Sequence, residues 1–124
     1  EYVKYDLSGK DLGGANFTGA YFSVSTLKNS DLTGANMTNV IAYATRFDNA
    51  NLTNVKLTGA ELLKSVFDGA TIDGADFTDA VLDRSQQKNL SKVATGETAE
   101  SLGCSTTAAG YVPATKGKGF NPGT

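Results

Sequence analysis

Few side chains in this 124-residue chain could carry chemistry. It has no histidine and no tryptophan, and its single cysteine is Cys104. The lack of histidine removes the commonest general base and the commonest metal ligand. One cysteine alone forms neither an internal disulfide nor a thiolate metal cage. What remains is a set of carboxylates, Asp68, Asp73, Asp76, Asp79 and Asp83. A close pair of carboxylates can share general acid–base work, but no nucleophile or base accompanies these, and solvated turn positions account for them. Gly13-Gly14 and the Lys116–Gly119 run lack the strand–loop–helix context of a phosphate loop. Three matches to the glycosylation sequon, at Asn16, Asn36 and Asn51, are by-products of a repeat. The sequence therefore predicts no catalytic residue, no metal site and no cofactor.

That repeat organises the chain. Counting in fives from Tyr5, the third residue of each block runs from Leu7 and Leu12 through Phe77 and Leu82, and fifteen of the sixteen are large and apolar. Ala42 is the exception. Two residues before each large position stands a small one, such as Ala15, Ser25, Val40 or Thr45, with only Tyr5 and Lys10 departing from the rule. A period of five fits neither a helix nor a plain strand. A small and a large residue two apart do fit two inward positions of an extended segment. The residue between them is usually Asp or Asn, and the next two favour Ser/Thr/Asp and then Gly/Asn, which are turn residues. Each block thus predicts a short side followed by a corner, and four of them close a coil of twenty residues. Residues twenty apart then stack at roughly 4.8 Å, as in the columns Leu12, Leu32, Leu52, Ile72 and Phe17, Met37, Leu57, Phe77. In the Phe22, Ala42, Leu62 column, Val40 is expected to fill part of the missing volume.

The blocks Ala15-Asn16-Phe17-Thr18-Gly19 and Ala75-Asp76-Phe77-Thr78-Asp79 resemble those of the pentapeptide-repeat proteins, and the resemblance covers about two thirds of the chain. It implies an all-β solenoid: a right-handed quadrilateral β-helix of four coils over residues 1–84, with its large and small positions inside. Residues 85–124 lose the period and are expected to form a short helical cap over the open end, which solenoids need, followed by an irregular tail. Ser85–Val93 reads as one helix with Leu90 and Val93 facing inward, and Glu97–Leu102 as a second, stopped by Gly103. Tyr111-Val112-Pro113 and Lys116 onward read as the tail.

Coils, helices and the segment Ser101-Leu102-Gly103-Cys104 together resemble the thylakoid-lumenal members of that family. In those, the cysteine at this place pairs with one that follows an upstream leucine. Here Leu90 is followed by Ser91, so that disulfide is absent. No hydrophobic leader precedes the repeat, which opens at Glu1-Tyr2-Val3-Lys4, as expected of a mature, processed chain. No apolar run approaches the roughly 18 residues that cross a bilayer. A formal net charge of −2 argues against a polybasic nucleic-acid or membrane-adsorbing surface.

Two outward faces stand out. Thr18, Thr38, Thr58 and Thr78 form a threonine ladder, which a well-matched β surface explains. On another face, Tyr21, Ile41, Glu61 and Val81 stand where Asp or Asn is expected, beside Ser23, Tyr43, Leu63 and Asp83, with Val24 and Ala44 next. Tyr21, Val24, Ile41, Tyr43, Leu63 and Val81 are the candidate partner-binding residues, since apolar patches mark interfaces. Either a protein partner or the chain's own tail, through Tyr111, Val112 and Phe120, would cover them.

The resemblance implies a non-enzymatic accessory or assembly subunit of a photosynthetic membrane complex, a photosystem or light-harvesting assembly. It would lie on the lumenal side without membrane insertion or nucleic-acid binding. A DNA-mimicking protein acting on DNA gyrase is the alternative. That role calls for a long rod with a continuous acidic stripe, whereas Lys28, Arg46, Lys56 and Lys64 interrupt the acids here.

Overall fold

The structure, a computed structural model, describes residues 4–107 and 110–113. Nearly every block closes its corner with an i→i+3 hydrogen bond, as from Ala15 N–H to Leu12 O at 3.1 Å and from Ala35 N–H to Leu32 O at 2.9 Å; the Ala42 block is an exception, its Thr45 N–H turning to Ser65 Oγ instead. The third turn residue sits in the left-handed region, for example Gly14 at φ 69° and Asn39 at φ 59°, which is the geometry of a type II turn and explains the Gly/Asn preference. The outward Asp or Asn serves the same corner: Asn16 Oδ1 accepts the Thr18 N–H at 3.1 Å, and Asp31 Oδ1 accepts the Thr33 N–H at 3.0 Å.

Among the described residues, twelve parallel bridges join residues twenty apart. They form four columns, headed by Asp6, Asp11, Asn16 and Tyr21, which define the four sides of a β-helix. Each side is so short that it makes one bridge to a neighbour rather than a ladder. The repeat region therefore contains isolated bridges, where an all-β reading suggests sheets. Leu12 N–H donates to Asp31 O at 2.7 Å and Leu32 N–H to Asn51 O at 2.9 Å, so the column through Leu32 has the expected register. Met37, Leu52, Leu57, Phe77 and Leu82 are fully enclosed. Leu7, Leu12 and Phe17, at the open first coil, are half-buried. Val40 and Ala42 are both fully buried, as a compensating pair requires.

Two helices follow, α1 (Arg84–Ser91) and α2 (Gly96–Ser101). Asp83 caps α1 in a reciprocal box with Gln86, at 2.8 and 2.9 Å. The Gln86 amide also donates to Leu62 O at 2.6 Å and Ser65 O at 2.9 Å. From α2, Ser101 Oγ accepts the Phe77 N–H at 3.0 Å. The helices thus bond to backbone groups at the end of the coils, among them the Phe77 N–H. Gly103, at φ 77°, donates its N–H to Glu100 O and ends α2 as expected.

Two expectations are corrected here. Val93 does not face inward. Helix α1 stops at Ser91, and the following turn leaves Val93 57% exposed while Ala94 takes the buried place. Tyr111-Val112-Pro113 is not irregular. It belongs to β2 (Gly110–Pro113), which pairs antiparallel with β1 (Cys104–Thr107). The β-branched and aromatic residues Thr106, Thr107, Tyr111 and Val112 favour that pairing. Residues 114–124, including Lys116 and Phe120, lie outside the described residues.

Candidate functional site

The apolar face is built by one side of the helix and the corner that follows it. Tyr21, Ile41, Glu61 and Val81 are bridged in sequence. Alongside, Val24 N–H donates to Tyr43 O at 2.8 Å and Ala44 N–H to Leu63 O at 2.9 Å, which places Tyr43 and Leu63 in the adjacent column. Tyr21 is 65% exposed, Tyr43 44% and Val24 40%, and Ile41, Leu63 and Val81 are half-buried. Exposed Glu61 separates Ile41 from Val81, and Ser23, at the head of the Tyr43 column, is buried. Asp83 ends that column as the α1 cap.

This side gives up both devices that stabilise corners elsewhere in the repeat. Its column is the one of the four with no Asp or Asn, so its corners lack the side-chain acceptor seen at Asn16, Asp31, Asn51 and Asp76. At Asp31, the Thr33 hydroxyl and N–H hold the carboxyl below its ordinary range. At its corners, the left-handed position is filled by Val24 (φ 63°), Ala44 (φ 55°) and Lys64 (φ 67°). The other three corner columns place only Gly, Asn or Asp there. A Cβ in that region costs roughly 1–2 kcal/mol per residue, and a β-branched residue there is rare. Sequence reading picked out Val24 and Ala44 but missed Lys64, although the lack of Gly or Asn at positions 24, 44 and 64 was the available signal.

At this corner a side chain substitutes for the backbone. Ser65 Oγ accepts the Thr45 N–H at 2.9 Å and donates to Ala42 O, and Thr45 Oγ1 donates to Phe22 O at 2.6 Å. The hydroxyls of the threonine ladder serve their own corners. Thr18, Thr38 and Thr78 turn their hydroxyls to Asn16, Asn36 and Asp76 within their own corners, at 2.6–2.7 Å. Those hydroxyls are committed to local turn bonds.

Cys104 is half-buried, with Sγ against Ser91 Oγ, and burial pushes its thiol above the ordinary range. Among the described residues no group of histidine, cysteine or carboxylate side chains could hold a metal ion, and no helix is long and apolar enough to cross a membrane.

The family model described as pentapeptide repeats (8 copies) matches over residues 6–41 and 45–84, more than half of the chain. The chain belongs to the pentapeptide-repeat family. A solved pentapeptide-repeat protein from the Arabidopsis thaliana thylakoid lumen is 29% identical, with a TM-score of 0.60 over 86% of this chain and 83% of that one. A Nostoc pentapeptide-repeat protein is 28% identical, with a TM-score of 0.35, over 64% of this chain and 69% of its own. HetL, a Nostoc pentapeptide-repeat protein involved in heterocyst differentiation regulation, is 22% identical over 58% of this chain and 40% of its own, with a TM-score of 0.37. No curated protein matches. The β-helix of bridged columns described above is thus that of a pentapeptide-repeat protein, and the outward positions are where members can differ without disturbing the interior.

Proposed function

We propose that this pentapeptide-repeat protein is a non-enzymatic interaction module, and that the side carrying Tyr21, Val24, Ile41, Tyr43, Leu63 and Val81 docks a protein partner. The observation that carries the reading is the concentration of local sacrifices on that side. The corner bonds of Asp and Asn are absent, Cβ-bearing residues occupy the left-handed corner, and two tyrosines and a valine stand in solvent. Strained backbone of this kind clusters at functional positions. Tyrosine suits an interface, having a large apolar body and a polar tip.

The partner class we propose is a photosynthetic membrane complex, a photosystem or light-harvesting assembly, engaged from the thylakoid lumen as an accessory or assembly subunit. Similarity to the lumenal protein from Arabidopsis supports that location. In the same proposal, residues 1–84 form a four-coil right-handed quadrilateral β-helix and residues 85–124 its helical cap and tail. The Gln86 amide donating to Leu62 O and Ser65 O, and Ser101 Oγ accepting the Phe77 N–H, support the cap.

The test is co-purification from detergent-solubilised thylakoid membranes, comparing the wild type with a Tyr43→Asp, Leu63→Asp variant that melts normally by circular dichroism. Both side chains reach solvent, so the fold should tolerate the change. Loss of a specific complex supports the docking face. Equal recovery by both proteins refutes it.

A further inference from the structure

The cap covers the last coil unevenly. Ile72, Phe77 and Leu82, the large residues on three of its sides, are buried, whereas Phe67 on the remaining side is half-buried and Val66 beside it is also partly open. A groove of about 680 Å³ lies between residues 65–70 and α1, and Val66, Phe67, Leu90 and Val93 supply its apolar wall. Among the described residues, no group accepts a hydrogen bond from the Phe67 or Gly69 N–H. In the coils above, the equivalent donors are used: Phe47 N–H reaches Val66 O at 2.8 Å, and Asn49 N–H reaches Asp68 O at 2.9 Å.

We propose that this open edge, residues 66–69, takes one further rung from an extended peptide segment of another protein, carrying a large apolar residue followed by lysine or arginine. The register of the coils fixes that pattern. The Phe67 N–H would donate to the carbonyl of the peptide residue before the apolar one. The Gly69 N–H would donate to the carbonyl of the basic residue. The apolar side chain would continue the stack in which the Phe47 and Phe67 rings lie 5.0 Å apart and 2° from parallel. The basic side chain would stand over Asp68, at the open end of the column Lys28, Asp48, Asp68. Arg46, near by, is already taken by Asp48 at 2.8 Å. The groove's charged lining is two carboxylates, Asp68 and Asp83, against the single ammonium of Lys92, which favours a cationic segment. Strand addition at an edge draws affinity from main-chain bonds and specificity from alternate side chains.

Another protein is the occupant because this chain's C-terminal segment 114–124 lacks the pattern. Its Phe120 is followed by Asn121, and Lys116 and Lys118 follow Thr115 and Gly117. The pairs Leu27-Lys28, Val55-Lys56 and Leu63-Lys64 are already built into coils, and Val3-Lys4 is joined directly to Tyr5, which is bonded to Ser25 Oγ at the opposite end of the repeat.

The probe is a fluorescein-labelled peptide, Thr-Val-Phe-Lys-Asn with blocked ends, titrated with the full chain and followed by anisotropy and by the amide resonances of Phe67 and Gly69. We expect saturable binding, shifts at both amides, and binding weaker by about threefold or more when the peptide lysine is replaced by glutamate. Asp68→Lys, at an exposed position, should invert that preference without altering the melting curve. No saturation at millimolar peptide, unmoved amides, or a preference that Asp68→Lys leaves unchanged would each overturn the proposal. Binding that appears only after residues 114–124 are removed would overturn it too, by making the chain's own end the occupant.

Discussion

Replacing Ser91 with cysteine should create a disulfide with Cys104. Ser91 Oγ already lies against Cys104 Sγ, across a sequence separation of 13 residues, and Ser91 is buried in the last turn of α1. The bond would tie α1 to the start of β1. Closing a loop of that size lowers the entropy of the unfolded chain by an amount worth about 3 kcal/mol in the chain-entropy picture. Geometric misfit would reduce the gain, so about 2–3 kcal/mol is the expected difference between the oxidised and reduced variant. For a domain of this size that is on the order of 10 °C in melting temperature. The reduced variant should melt at or slightly below the wild type, because a larger sulfur replaces the hydroxyl at a buried position. The assay is urea and thermal unfolding of Ser91→Cys with and without reductant, with free thiols counted in each sample. Two thiols persisting after mild oxidation would refute the reasoning. So would an oxidised form no more stable than the reduced one, which would mean that this contact does not hold the cap in place.

Gln86→Glu should destabilise by about 1–3 kcal/mol at neutral pH, because a carboxylate would face Leu62 O and Ser65 O without a proton to donate. Those carbonyls raise the new group's pKa in the folded state. The deficit relative to wild type should therefore shrink as pH falls below the folded value, which parallel urea titrations would measure. Ala44→Gly should stabilise by about 0.5 kcal/mol, since relief at φ 55° outweighs the added freedom of the unfolded chain, and a lower urea midpoint would contradict it. The Asp31 and Asp48 carboxyls are held below their ordinary range, Asp31 by Thr33 and Asp48 by Arg46. Their contributions are present above the unfolded pKa of about 3.9 and fade as pH falls through the depressed folded values. The melting temperature should decline on acidification below about pH 4, and Asp31→Asn, which keeps an acceptor for Thr33, should soften the decline.

The repeat was legible because side chain and backbone agree at nearly every block. A large residue such as Leu32 and a Gly or Asn at the corner each report a backbone constraint directly. The apolar face was legible for the converse reason, as Tyr21 and Ile41 break a pattern set by their neighbours. Strain at Val24 and Lys64 was harder to read, because neither residue type announces a left-handed conformation; the register imposes it. Gln86 carries two jobs, capping α1 and meeting the last coil, and only the first follows from the spacing after Asp83. Val93 was misplaced because helix periodicity holds only while the helix lasts, and α1 stops two residues short of it. The hairpin was missed because its strands are four residues each, too short for alternation to rise above the surrounding Gly and Thr.

Bridges at a spacing of twenty also make the protein vulnerable to a lesion its core would forgive. Loss or gain of a single five-residue block keeps every inward position apolar and every corner a corner. It nevertheless rotates all later blocks by a quarter turn. Were that to happen between Ala44 and Glu61, Tyr21 and Ile41 would stay on one flank while Leu63, Val81 and α1 moved to the next. Such a protein would fold, melt cooperatively and present the residues of the proposed docking face in two halves on different walls. Length variation among functional homologues should therefore come in whole coils wherever it falls inside this surface.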